Sequence, residues 1–364
     1  MKQPIDLFQK TILVTGAAGF IGASLVQRLL SCGMPMKIVG VDSINDYYTP
    51  ALKEHRLQNI QASALKSAAQ WLFLKGNIAD KPFIDGLFAE HKPAVVVNLA
   101  AQAGVRYSID HPDVYIESNL IGFYNILEAC RHSYDGGQKG VEHLVYASSS
   151  SVYGSSKKVP FSTEDMTDSP VSLYAATKKS NELLAHAYSK LYSIPVTGLR
   201  FFTVYGPAGR PDMFYYSATE KLVRGECIQI FNYGNCKRDF TYVDDIVEGV
   251  WRVMQGAPQR VTGDDGLPVP PAAVYNIGGG HPENLLDFIT TLQEELVRVG
   301  ILPPDYDFDA HKKLVPMQPG DVPVTFADSA ALERDYDFRP SIPLREGLRR
   351  FAEWYHHYSN SKSN

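Results

Sequence analysis

The sequence predicts an α/β protein, a doubly wound parallel sheet with a smaller C-terminal substrate lobe. Three observations carry that prediction. Short apolar runs alternate with longer helical patterns over the first two thirds of the chain, as in successive βαβ units. Several of those runs are apolar almost throughout, as strands covered by helices on both faces are. Beyond residue 203 the composition shifts to turn-rich stretches, and the 364 residues correspond to about 2.4 domains at roughly 150 residues each.

In chain order, strands are expected at Thr11–Thr15, Lys37–Asp42, Trp71–Gly76, Ala94–Leu99, His143–Ser148 and Val196–Phe202. Helical patterns between them include Gly19–Leu30, Lys81–His91, Asp113–Cys130 and Leu173–Leu191. Residues 1–203 are read as the cofactor domain, with 239–255 returning to it through a helix at Asp244–Met254. Residues 204–364 are read as mainly the substrate lobe, broken by Gly206–Pro211, Gly263–Pro271, Pro303–Pro304 and Pro316–Pro323.

Composition narrows the function. With 45% hydrophobic residues a sizeable core is available, and 35 Lys+Arg against 40 Asp+Glu give a net charge of −5. That balance lacks the electrostatic footprint of a general nucleic-acid binder. No stretch reaches the roughly 18 uninterrupted apolar residues of a membrane span, and Met1–Lys10 has no signal-peptide apolar region, so a cytoplasmic chain is expected. Cys32, Cys130, Cys227 and Cys236 match no metal or redox spacing and read as reduced structural thiols. The adjacent His356 and His357 point about 100° apart on a helix and read as a surface feature; no metal site is expected.

The first chemical signal is Thr15-Gly16-Ala17-Ala18-Gly19-Phe20-Ile21-Gly22, directly after a β-run and directly before a helix. Gly16 permits the tight turn, Gly19 lets backbone approach a pyrophosphate, and Gly22 allows close helix packing. The pyrophosphate then sits on a helix N-terminus, where free N–H groups and the dipole favour anions. Asp42 ends the second strand, where its carboxylate accepts bonds from ribose hydroxyls and repels a 2′-phosphate, so NAD is preferred over NADP. Asn77 and Ile78 follow the third strand toward the adenine.

The second signal is Tyr174 and Lys178, four apart on one helical face. An ammonium beside a phenol is expected to pull the tyrosine pKa down by about 1 to 3 from a reference near 10, making Tyr174 a general base near neutral pH. Upstream, the strand His143–Ala147 ends in Ser148-Ser149-Ser150-Ser151-Val152-Tyr153-Gly154, hydroxyls at the carboxyl end of a parallel strand where ligands bind.

Together with Asn98-Leu99-Ala100-Ala101, these motifs resemble the extended short-chain dehydrogenase/reductase family of nucleotide-sugar enzymes, from about residue 11 to about 355. The resemblance implies a Rossmann-type fold, bound NAD, and cofactor contacts at Gly16, Gly19, Phe20, Ile21, Gly22, Asp42, Asn77, Ile78, Leu99, Ala100, Ala101, Asn119, Tyr174 and Lys178. It makes Tyr174 the catalytic base, has Lys178 hold the nicotinamide ribose, and has Ser149 bond the sugar 4-hydroxyl.

Within that family the closest resemblance is to UDP-glucuronate 4-epimerases. It rests on Ala101–Ser108, Arg200–Pro207, Gly209–Met213 and Pro316–Val322. It implies interconversion of UDP-glucuronate and UDP-galacturonate through a transient 4-keto intermediate, in a homodimer, as a polysaccharide precursor supply; Asp113–Cys130 and Leu173–Leu191 either pair across a two-fold, as in relatives, or bury their apolar faces on the sheet. The intermediate is a β-keto acid, so donors must hold its carboxylate out of the geometry for losing CO₂. Ser149, Ser150, Ser151 and Thr203 are neutral donors, and Arg210 is a carboxylate or phosphate clamp. Related decarboxylases and 4,6-dehydratases carry acids in the serine-turn segment; positions 150 and 151 here are both serine. Arg238 resembles the family's phosphate-binding arginine, and Lys221 borders the expected uracil site. Asn98 stands where a histidine is commoner, Gly263–Pro271 is longer than expected, and Gln318 replaces a common arginine. A UDP-glucose 4-epimerase is the alternative, and a non-catalytic NAD-binding scaffold a remote one, since the latter predicts a broken Tyr/Lys pair.

Overall fold

Alternation of strand and helix builds the molecule from its N-terminus. The computed structural model describes residues 2–317 and 322–362. The first half runs β1 (Thr11–Thr15), α1 (Phe20–Leu30), β2 (Lys37–Asp42), α2 (Pro50–Ala64), β3 (Gln70–Lys75), α3 (Lys81–His91), β4 (Val95–Asn98), α4 (Gly122–His132), β5 (His143–Ser149), α5 (Leu173–Tyr192) and β6 (Val196–Phe201). Then come β7 (Thr203–Tyr205), α6 (Phe214–Val223), β8 (Lys237–Tyr242), α7 (Val243–Met254), β9 (Ala272–Ile277), α8 (Leu285–Arg298) and α9 (Leu344–Lys362).

A seven-stranded parallel sheet has the order β9-β6-β5-β4-β1-β2-β3. Its direction of winding reverses between β1 and β4, which opens a crevice at the strands' carboxyl ends. The uninterrupted apolar runs have a clear use: Ile12 and Val14 of β1 enter one core with α1 and α7, while Leu13 enters the opposite core with α3 and α4. Both faces are therefore covered, as parallel sheets require.

The smaller lobe is built on short pairings. β7 and β8 run parallel, β8 meets Pro282–Asn284 antiparallel, and Ile228–Ile230 pairs parallel with Lys312–Leu314. Helix α7 packs back on α1, tied by Arg28 Nη2 to Glu248 Oε2 at 3.2 Å.

Three expectations change. Asp113–Cys130 is not one helix but a turn at Pro112–Tyr115, a π segment at Ile116–Ile121, and α4; a 3.6-residue pattern does not register one widened turn. β9 lies inside the stretch read as substrate lobe, yet pairs with β6 from Ala272↔Val196 to Ile277↔Phe201. Prolines 268, 270 and 271 masked it, although proline is tolerated where a strand begins. The preceding stretch is a small ladder, Val261–Thr262 against Pro268–Val269, anchored by Lys190 Nζ on the Pro268 carbonyl at 2.7 Å. Gln318, with Pro319, Gly320 and Asp321, lies outside the described residues.

Candidate active site

The cleft forms where β1, β4 and β5 end. At its nucleotide end Gly16 adopts φ +70°, and a Cβ there would stand 2.8 Å from the Ala100 nitrogen. A Cβ at Gly22 would stand 2.0 Å from the Gly16 carbonyl oxygen, so only glycine lets α1 approach the loop this closely. The N-cap of α1 is Gly19, with no side chain bonding the first helical N–H groups; those donors face an anion site. Thr15 Oγ1 donates to Asn98 Oδ1 at 2.7 Å and accepts from the Ala100 N–H at 3.1 Å. That latch joins β1 to β4 across the switch point and gives the unusual Asn98 a structural use.

Asp42 lines the same end and accepts from the Ala18 and Ile44 N–H groups at 3.1 and 2.9 Å. Phe20, Ile21, Asn77, Ile78, Leu99, Ala100 and Ala101 also line the cleft. Asn119 does not. It is 2% exposed, accepts from the Gln102 N–H at 2.8 Å and donates to the Gln102 carbonyl and Thr177 Oγ1, each at 3.0 Å. Its neighbour Ser118 faces the cleft instead, so Asn119 braces the loop that carries Gln102 against α5.

At the sugar end Tyr174, Lys178, Ser149, Ser150, Ser151, Thr203 and Arg210 converge. Ser172 caps α5, accepting from the Ala175 N–H at 3.1 Å, and this starts the helix one residue before Tyr174. One turn beyond Lys178, Glu182 accepts from Ser148 Oγ at 2.7 Å and from both ends of the Arg200 fork at 2.8 Å. Arg200 Nη1 also donates to Tyr153 Oη at 3.0 Å. The buried pair thus fixes α5 against the serine turn in one register.

The electrostatics correct one expectation. Lys178 is 4% exposed and donates to the Ala147 carbonyl at 2.9 Å; burial lowers its pKa to about 8. Burial also raises the Tyr174 phenol above its ordinary value, opposed by a hydrogen bond with Ser149 and by the charge of Arg210, not by Lys178. Desolvation disfavours both charged forms, ammonium and phenolate alike. Arg210 itself is held by Asp212, with Nε to Oδ1 at 3.0 Å and a second contact from Nη2 to Oδ2. Tyr47 Oη donates to Asp212 Oδ2 at 3.2 Å, and burial pushes that phenol up to about 12.

Lys221 and Arg238 are not among the cleft-lining residues. Lys221 lies in the last turn of α6, and Arg238 on β8 donates from Nη1 to the Lys237 and Pro323 carbonyls, each at 3.1 Å. Conversely, Tyr47, Tyr48 and Lys53 line the cleft, although no motif in the sequence points to them. Spacing places Lys53 and Arg56 three apart and so on one helical face, but nothing local marks that face as buried; the structure buries both on α2.

The comparisons bear on this geometry. Residues 12–278 match the NAD dependent epimerase/dehydratase family. The chain belongs to that family. It is 46% identical to Protein CapI of Staphylococcus aureus over 95% of this chain and 98% of that protein. It is 41% identical to UDP-glucuronate 4-epimerase 4 of Arabidopsis thaliana, over 97% and 77%. Among solved structures, UDP-glucuronic acid 4-epimerase from Bacillus cereus, in complex with UDP-glucuronic acid and NAD, superposes with TM-score 0.79 at 31% identity, covering 96% of this chain and 99% of that one. UDP-glucose 4-epimerase from Thermotoga maritima superposes with TM-score 0.78 at 28% identity, with the same coverage. This chain is therefore an NAD-dependent enzyme of the epimerase family, and the cradle fits that cofactor: Gly16, Gly19 and Gly22 line the cleft with Asp42, and the start of α1 there has no side-chain cap.

Proposed function

We propose that the enzyme interconverts UDP-glucuronate and UDP-galacturonate. The observation that carries this reading is the charge pattern of the cleft. Among the described residues lining it, the only carboxylate is Asp42 at the nucleotide end, while the sugar end presents hydroxyls and Arg210. Such a wall suits a sugar that bears a carboxylate of its own and lacks the acid needed to expel water from C6.

NAD, when bound, supplies a reversible hydride acceptor. Tyr174 removes the proton of the sugar 4-hydroxyl, with Ser149 bonded to its oxygen and Arg210 favouring the phenolate. Lys178, fixed on the Ala147 carbonyl, holds the ribose side of the site. Ser149, Ser150, Ser151 and Thr203 hold the uronate carboxylate away from the perpendicular geometry in which a 4-keto sugar loses CO₂. Arg210 takes the carboxylate or a phosphate, and Arg238 the outer phosphate. Gly16, Gly19, Phe20, Ile21, Gly22, Asp42, Asn77, Ile78, Leu99, Ala100 and Ala101 form the NAD contacts.

The reading extends to a cytoplasmic homodimer that supplies a polysaccharide precursor. Ile116, Ile121 and Tyr124 beside and on α4, with Leu183 and Leu191 on α5, are exposed apolar groups suited to a two-fold helix contact. No helix among the described residues is long and apolar enough to cross a membrane.

The test is to incubate purified protein with UDP-glucuronate, UDP-glucose and UDP-galactose and follow products by NMR. UDP-galacturonate from UDP-glucuronate is expected, with little turnover of the neutral sugars. Conversion of the neutral sugars alone would support the second reading, a UDP-glucose 4-epimerase, which the likeness to the Thermotoga maritima structure favours.

A further inference from the structure

Arg56 is a buried cation with an unusual set of partners. It is 3% exposed, two turns into α2, and all five guanidinium N–H groups are engaged. Nε and Nη2 both donate to the Ala208 carbonyl, at 3.0 and 2.8 Å, and Nη2 also donates to the Gly209 carbonyl at 3.0 Å. Nη1 donates to the Ala18 carbonyl at 2.9 Å and to Tyr48 Oη at 2.7 Å. None of these partners is a carboxylate, so the charge is answered by carbonyl dipoles and a phenol.

The two loops so joined are the two halves of the cleft. Ala18 belongs to the glycine-rich turn, and Ala208 and Gly209 immediately precede Arg210. Ala208 has φ +51°, a left-handed conformation that costs an L-residue with a Cβ and persists where its surroundings over-determine it. The double donation to its carbonyl is that constraint. A lysine could supply the charge but not the planar fork that grips two successive carbonyls and a third on another loop.

We infer that Arg56 is a positioning residue: its fork holds Ala208 in the left-handed conformation and thereby sets the place of Arg210 relative to the nucleotide loop. The inference rests on the proposed contact of Arg210 with substrate. At a pH on the plateau above the acid limb, where the Tyr174 phenolate is fully formed in every variant, displacement of Arg210 touches its binding role alone, so the loss should appear in KM.

The test is steady-state kinetics on whichever UDP-sugar the wild-type enzyme converts, with bound NAD measured per chain. Arg56→Lys keeps the charge, and its KM should rise by about tenfold or more while kcat stays within about threefold and bound NAD is unchanged. Adding Ala208→Gly should recover most of that loss, because glycine takes a positive φ at little cost. A KM for Arg56→Lys within about twofold of wild type, or a raised KM that Ala208→Gly leaves unrepaired, overturns the inference. Should Arg56→Lys fail to fold, Ala208→Val in the wild-type background replaces it, since a β-branched residue resists positive φ; a raised KM is expected and an unchanged one overturns the proposal. Arg210→Ala separates the two claims. An unchanged KM in that variant sinks the substrate contact of Arg210, whereas a raised KM there with an unchanged Arg56→Lys sinks only the role of Arg56.

Discussion

The two ends of the cleft are built from different materials. The nucleotide end is mostly backbone: glycines 16, 19 and 22, the uncapped start of α1, and Asp42 with its oxygens already engaged by two N–H groups. The sugar end is side chains drawn from β5, α5, β7 and the loop after Gly206, with Lys178 held by the Ala147 carbonyl, Arg210 by Asp212, and Ser149 bonded to Ser151. A backbone cradle depends on the absence of atoms, and a side-chain site on the placement of charged ones. Substitutions should therefore fail in different ways at the two ends.

The largest effect belongs to the sugar end. Tyr174→Phe should lower kcat by at least about 10²-fold, the scale of a lost general base, while bound NAD stays at the wild-type level. Loss of NAD together with activity would place Tyr174 in the cradle as well and erase the contrast. At the nucleotide end, Gly22→Ala adds a methyl 2.0 Å from the Gly16 carbonyl oxygen. Purified protein should then carry little NAD, measured after acid extraction; full NAD content would show that the turn can shift without losing its grip.

The buried ammonium of Lys178 gives an effect on stability. Its folded pKa of about 8 lies below the ordinary 10.5, so between these values the unfolded chain binds more protons than the folded one. Stability must then rise as pH climbs from about 8 to 10.5. Below pH 8 the burial costs about 3 kcal/mol, at 1.36 kcal/mol per pKa unit. Lys178→Met should lose this rise: wild-type minus variant stability, from urea unfolding at pH 7 and pH 10, should become more positive at the higher pH. A pH-independent difference would mean that the ammonium is solvated.

Arg210→Ala sharpens the comparison from the electrostatic side. Arg210 is the cation that favours the Tyr174 phenolate, so its removal should raise the phenol's pKa further. The acid limb of the pH–rate profile should move to higher pH, with KM raised by about tenfold. A raised KM with an unmoved limb would make Arg210 a binding group only.

The same contrast explains what could be read in the sequence. The cradle lies within eight consecutive residues, Thr15 to Gly22, and a strand before with a helix after gives it one geometry, so spacing alone announces it. Tyr174 and Lys178 were equally legible, because four residues on a helix mean one face. Their charge states are not legible, since spacing on a helix says nothing of how far the site excludes water. Burial and the Ala147 carbonyl decide them. Arg56 was invisible for another reason: its partners lie 38 residues before it at Ala18 and 152 and 153 after it at Ala208 and Gly209. No local pattern connects them. β9 was lost to its own prolines.

Lys221 tests the contrast at its weakest point. A lysine near the end of α6 favours the helix C-terminus through the dipole whatever the ligand does, and its backbone carbonyl already accepts from the Arg224 and Glu226 N–H groups at 3.1 and 2.9 Å. The helix turn is thus closed without the side chain. Lys221→Ala should change KM by less than about twofold, because Lys221 is half-buried outside the residues that line the cleft, and its charge reaches an anionic ligand only through solvent and salt. Measured at low and at physiological salt, a small loss that disappears with salt would make Lys221 a long-range contributor to an anionic ligand's approach. A loss above about fivefold that survives salt would mean that the uracil end reaches past the cleft to α6, and that the sugar half of the site extends farther than the lining residues alone indicate.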